Sequence, residues 1–297
     1  MKTKQKNSQD RVFYLVSYFI SVVLVLIVLY PIIYVLSSSV SDADAVAQGK
    51  VWLVPVNFTL DAYKRVLAYN KVWTGYGNTI IYTVSGTLIN LAITLMCAYP
   101  LARKNLRWRG TIMLIFSFTM MFGGGIIPNY ILIRELGMLN TRWSIIIPGA
   151  MSVYNMIVCR TFIETNIAEE MQEACQIDGC DDFQFFFKMV LPLSKAIIAV
   201  LALWYAVDHW NSYFNAFLYL KDSDKYPLQI ILREILIQSE GMKGSDDTLA
   251  EDMANSQNLY LTLKYAVIVV STLPLFCVYP FVQKYFQEGV MVGSVKG

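Results

Sequence analysis

The chain has 297 residues, a formal net charge of +2, 56% hydrophobic residues and 15% charged ones, against about 25% charged residues in an ordinary soluble domain. With a mean hydropathy of +0.46, it has too little polar surface to clothe a water-soluble globule, so the composition points to an integral membrane protein. The small net charge argues against nucleic-acid binding, which needs a basic face for phosphates, and five scattered cysteines with a single histidine fit neither a zinc site nor a disulfide framework.

Lys2, Lys4, Lys6 and Arg11 precede the first apolar run, Phe13 to Leu36. Its length exceeds the about 7–15 residues of a signal-peptide core, so it reads as a retained anchor with residues 1–12 in the cytoplasm. Five further runs are long enough for about 30 Å of hydrocarbon: Thr79–Leu101, Thr111–Ile133, Trp143–Ile163, Leu193–Tyr219 and Leu261–Val282. Open strands would leave backbone groups unpaired in lipid, and no alternating pattern suggests a barrel, so the predicted fold class is all-α, a polytopic membrane protein with six transmembrane helices. Within the third run, Gly123, Gly124 and Gly125 permit close helix packing, the favoured reading, or a break.

Basic residues set the orientation. Arg103, Lys104, Arg107 and Arg109 crowd the connection between the second and third runs, whereas 221–260 carries four basic and eight acidic residues. Both termini are therefore expected in the cytoplasm, together with the segment 164–192. The resulting organisation is one transmembrane domain over 13–283, with external loops at 37–78 and 220–260 and a cytoplasmic tail at 284–297.

Between the fourth and fifth runs lies a polar segment reading EACQIDGCDDFQFFFKMVLPL from Glu173 to Leu193. Ala168, Met171, Ala174 and Cys175 recur at helical spacing, so a first arm is expected to lie flat on another protein while Glu169, Glu170 and Glu173 face elsewhere. Asp178-Gly179 supplies a turn. Asp181 followed by Gln184 has the form of a capping box that starts a second arm, with an aromatic stripe of Phe183, Phe186, Phe187 and Val190 and a stop at Pro192. A resting place on lipid headgroups is disfavoured, because seven acidic residues against Lys188 would be repelled by an anionic leaflet. A protein partner at the membrane face is the expectation.

Late in the fifth run stand Asp208, His209, Trp210, Asn211, Tyr213 and Asn215. Ionisable residues in a span are costly and mark cavities, partners or pathways. Asp208 and His209 are sequence neighbours, about 100° apart on a helix, a poor geometry for a catalytic dyad or a shared metal. Lining of a pathway or gate is preferred, with interhelical hydrogen bonding as the alternative. Asn155 joins this set, and Asn78, Asn90 and Tyr154 are weaker candidates that read more simply as helix contacts. No G-x-x-x-x-G-K-[ST], H-E-x-x-H or G-x-S-x-G occurs, so no catalytic residue, metal or cofactor is expected in this chain, and any nucleotide hydrolysis belongs to another.

The hairpin resembles the EAA motif of permease subunits of binding-protein-dependent ABC importers, carried here by Glu173-Ala174-Cys175, Asp178-Gly179, Phe183 and Val190-Leu191-Pro192, with Cys175 where alanine is usual. Two further stretches, MMFGGGIIPNYILIRELGMLNTRW from Met120 and the tail FQEGVMVGSVKG with Gly289, Gly293, Lys296 and Gly297, resemble the carbohydrate branch, in particular its complex-oligosaccharide subgroup. The resemblance implies a type I importer permease fold in a bacterial plasma membrane, with the hairpin as a coupling helix. It implies ATPase contact through Glu170, Glu173, Ala174, Cys175, Asp178, Gly179, Phe183, Phe187, Leu191 and Pro192. It implies as partners a second related permease, two cytoplasmic ATPase subunits holding ATP and Mg, and an extracytoplasmic sugar-binding protein. An importer for a non-sugar solute is the nearest alternative, and a self-sufficient membrane enzyme or channel the more distant one.

Overall fold

The structure is a computed structural model and describes residues 8–241, 262–280 and 283. Its elements are helices, with no strand among the described residues. The polar stretch 242–261 and the tail at 284–297, with Gly289, Gly293, Lys296 and Gly297, lie outside them. The chain divides into two units, one of residues 1–70 with Leu232–Leu273, the other Lys71–Ile231 with 274–297.

In the first unit the helix Ser8–Ser39 spans 32 residues, and none of its apolar window is buried. A helix that is apolar all round needs lipid or another protein as its solvent. At its end the chain turns back on buried serines: Ser37 Oγ donates to the Leu53 carbonyl at 2.7 Å, and Ser41 Oγ donates to the Ser37 carbonyl at 2.6 Å. Ala45, Val46 and Val51 form a small core beside Tyr265, on the helix Thr262–Pro280.

The second unit is built on two facing stripes. On the helix Asn70–Ala102 the buried positions Tyr82, Gly86, Asn90, Thr94, Ala98 and Ala102 recur every fourth residue, and on Lys195–Trp210 so do Ile197, Leu201, Tyr205 and His209. Spacing of four keeps side chains on one face of a helix. Thr94 Oγ1 and the Tyr205 hydroxyl meet at 2.7 Å, and Leu95, Ala98, Leu101, Met156, Cys159, Phe185, Val190 and Leu201 fill the core beside them.

Three predicted spans are not straight. The third divides into Arg109–Met121 and Ile126–Glu135, bent by 111°, which corrects the preference for packing at the three glycines. A Cβ on Gly123 or Gly125 would meet nothing within 4 Å, and Gly125 has φ +85, so these residues serve a turn rather than a close approach. Pro128 falls in the first turn of the second piece, where its missing N–H costs nothing. The fourth run is a short helix Trp143–Ile146 and a separate helix Val153–Asn166, separated by a stretch containing Pro148 and Gly149. The fifth breaks after Trp210 and resumes as Phe214–Tyr219. Among the described residues, three helices are by length and composition able to cross a membrane, or up to five if each bent pair is one span.

Asn78 has a structural task. Its Nδ2 donates to the carbonyls of Asp224 at 2.7 Å and Tyr226 at 3.1 Å, its Oδ1 accepts from Arg142, and the Tyr82 hydroxyl donates to the Lys225 carbonyl at 2.7 Å. Together these clamp the 221–227 turn onto the helix Asn70–Ala102, so Asn78 acts as a fastener, the helix contact that its sequence reading favoured. Asn78→Ala leaves two carbonyls without their donor and should cost about 1–3 kcal/mol, read as a lowered midpoint of thermal unfolding of the purified protein.

Candidate functional site

Two places gather the predicted functional residues. The first is the hairpin. Its first arm is the helix Glu169–Ile177. The arm ends in a Schellman motif: Cys180 N donates to the Cys175 carbonyl at 2.9 Å and Gly179 N to the Gln176 carbonyl at 3.0 Å, with Gly179 at φ +82. That left-handed conformation is the reason for glycine there. Asp181 then caps the second arm, Asp182–Phe185, by accepting from Gln184 N at 2.6 Å, as the capping box predicts. The helix widens to a π turn at Phe186–Val190, continues through Pro192 to Leu193, and only then bends by 79° into Lys195–Trp210.

The arms face differently from the sequence expectation. Met171 and Cys175 pack, partly buried, against the protein's own core and Gln172 is buried, so this face of the arm turns inward. The aromatic stripe is split: Phe186 and Val190 are buried with Phe185, which the sequence reading missed, while Phe183 is 77% exposed and Phe187 62%. Burying Phe185 and Phe186 is worth about 1.5–3 kcal/mol each, which is why the apolar side of the arm turns inward first. Outside remain Glu170, Glu173, Ala174, Asp178, Gly179 and Pro192, together with Ile177 at 87% exposure. Cys175 and Leu191 are half-buried. Ile177 was absent from the expected set, though it is the one large apolar residue next to the Asp-Gly turn. A hydrogen bond with the Cys180 thiol, helped by desolvation, pushes the Cys175 thiol up to about 11, so it stays protonated at neutral pH.

The basic connection between the second and third runs meets the hairpin directly. Lys104 pairs with Glu169 at 2.8 Å, Arg103 approaches Asp182 at 3.8 Å, and Glu164 bridges Arg109 and Arg160. The Glu169 hydrogen bond raises the Lys104 ammonium above its usual range. Exposed pairs add about 0–1 kcal/mol each, but they take up Glu164, Glu169 and Asp182. Glu170, Glu173 and Asp178 stay on the open side.

The second place is a cavity of about 300 Å³ bordered by Ile145, Gly149, Asp208, His209, Asn211, Ser212, Tyr213, Phe214 and Asn215. It gathers five of the seven predicted pathway residues, two before the break after Trp210 and three after it. The other two are elsewhere. Trp210 is buried with its ring 6.2 Å from that of Tyr76, and Asn155 sits in the first turn of Val153–Asn166, where its N–H is capped by Ser152. Asn90 donates to the Gly149 carbonyl at 3.0 Å, supporting the cavity wall from behind. His209 is 5% exposed; its Nε2 has no hydrogen-bond partner among the described residues and its ring lies against Gly86, a contact the sequence did not disclose.

The described residues thus combine apolar helices, an outward hairpin at one place and a polar cavity at another, features that suit a membrane transport subunit. No protein-family model matches the chain. It is 39% identical to the polygalacturonan/rhamnogalacturonan transport system permease protein YtcP of Bacillus subtilis (strain 168), over 97% of this chain and all of that protein. It is 40% identical to Protein LplC of the same organism, over 91% of this chain and 90% of that one. Among solved structures it matches a bacterial ABC transporter involved in the import of the acidic polysaccharide alginate, at a TM-score of 0.83 and 36% identity, over 96% of this chain and all of that one.

The chain belongs to the family of permease subunits of ABC transporters that import sugars and oligosaccharides. It is an integral membrane protein and a transport permease component.

Proposed function

We propose that this chain forms one half of the path by which an oligosaccharide enters a bacterial cell across the plasma membrane. A second, related permease supplies the other half. Two cytoplasmic ATPase subunits drive the cycle, one of them seated on the hairpin of this chain, and an extracytoplasmic sugar-binding protein delivers the cargo to the external loops. Both termini face the cytoplasm, on the side of Arg103, Lys104, Arg107 and Arg109. The substrate class rests on the carbohydrate systems for which the relatives are named.

The observation that carries the coupling role is the composition of the hairpin tip, where Ile177, Phe183 and Phe187 stand open to solvent beside exposed Glu170, Glu173 and Asp178. Apolar side chains held out on a rigid turn and ringed by carboxylates make a surface for a protein cleft. ATP-driven closure of the ATPase pair moves such a surface, and the helices rooted in the hairpin carry the motion to the cavity. Glu173→Lys reverses a charge at the tip without touching the core. The assembled transporter carrying it should insert normally and lose about tenfold or more of its sugar-stimulated ATP hydrolysis, the equivalent of about 1.4 kcal/mol of docking. Wild-type hydrolysis by that variant would remove the hairpin from the coupling path.

A further inference from the structure

The polar wall of the cavity at 208–215 carries one carboxylate, Asp208, among the neutral groups of Asn211, Ser212, Tyr213 and Asn215 and the imidazole of His209. Asp208 lines it and is exposed, offering a carboxylate that only accepts. Asn211 uses an amide hydrogen on the Val207 carbonyl at 2.9 Å, which leaves its oxygen as the freer end. Asn215, Ser212 and Tyr213 add groups that both donate and accept. Among the described residues that border the cavity there is no lysine or arginine.

A sugar hydroxyl suits such a wall, since it donates to the carboxylate and accepts from an amide or hydroxyl. The carboxylate of a uronate unit does not. It brings a second negative charge beside Asp208 with no cation to offset it, and partial removal from water strengthens that repulsion. We propose that Asp208 is a specificity-determining residue, which makes this cavity a subsite for a neutral, hydroxyl-bearing sugar unit and turns away an acidic one. The inference rests on the reading that an oligosaccharide passes this cavity, and it sets this chain apart from the importer of the acidic polysaccharide alginate that it resembles. It deepens that reading, because selection works as much through the repulsive element as through attractive ones.

The test uses the complete transporter in proteoliposomes, with its second permease, ATPase subunits and binding protein, and two probes of one skeleton: the trisaccharide of galacturonic acid and its neutral methyl ester. Uptake of the acid relative to the ester is compared between the wild type and Asp208→Asn. Because the binding protein is the same in both, its own preference cancels. The ratio should rise about tenfold in the variant, and Asp208→Ser, which removes the charge without supplying an amide, should move it the same way. An unchanged ratio in both variants, including an acid that never enters, overturns the proposal. Failure of the wild type to take up these probes or any neutral oligosaccharide would instead overturn the oligosaccharide reading on which it rests.

Discussion

Gly179→Val should leave the protein inserted and folded while cutting sugar-stimulated ATP hydrolysis by the assembled transporter about tenfold or more. Gly179 sits at φ +82 and its Cβ would meet nothing within 4 Å, so the substitution introduces no clash and acts through the backbone alone. Holding a side-chain-bearing residue in the left-handed region costs about 1–2 kcal/mol, and a β-branched residue is the least tolerant of it. The chain escapes that cost by opening the two bonds from Gly179 N and Cys180 N that close the first arm, which swings Ile177 and Asp178 away from their positions at the tip. A loss of about 1.4 kcal/mol in docking is a factor of ten. Hydrolysis is measured on purified complex with loaded binding protein, and the amount inserted by quantifying the chain in membranes. If hydrolysis is retained while the turn is demonstrably altered, the tip does not transmit the motion.

Gly86→Ala is expected to have a comparable effect by a different route. The added methyl would lie closest to Nε2 of His209 and 2.7 Å from its Cδ2, inside any permissible contact, so the imidazole must leave the face of the helix Asn70–Ala102. Overpacking of this kind costs about 1–3 kcal/mol, and the open space beside the ring is the 300 Å³ cavity that His209 already borders. A displaced ring would narrow the cavity, so uptake should fall several-fold along with the midpoint of thermal unfolding. The second change His209→Ala makes room for the methyl. Paired with Gly86→Ala it should recover much of the lost stability, a non-additivity that a double-mutant cycle reads directly. Simple addition of the two single effects would mean that ring and glycine do not press on each other.

Much of the architecture was legible in the sequence because hydropathy reports what must be hidden from water. The helices Ser8–Ser39 and Asn70–Ala102 contain the predicted first and second runs, and the Asp-Gly turn and the Asp181 cap follow from chemistry that depends on adjacent residues only. Direction was not legible. An apolar run looks the same whether the chain goes straight or turns through 111° at Phe122–Gly125, since each glycine is compatible with packing and with breaking. Nor does amphipathicity say whose core an apolar face joins. Met171 and Cys175 face inward although their spacing suited a partner equally well. Polar residues inside apolar runs carry the same ambiguity: Asn78 fastens a turn, whereas Asn211 and Asn215 border a cavity, and nothing local distinguishes them. Gly86 was invisible for a related reason, because its importance lies in what it leaves room for.

The pairs that join Lys104 to Glu169, Arg103 to Asp182, and Glu164 to both Arg109 and Arg160 are individually weak, yet they span four separate pieces of chain that converge at one end of the unit. Their joint consequence is mechanical. Under the proposed coupling role, a push on the elbow would reach the feet of several helices together rather than one of them alone, as a load placed on a shared footing does.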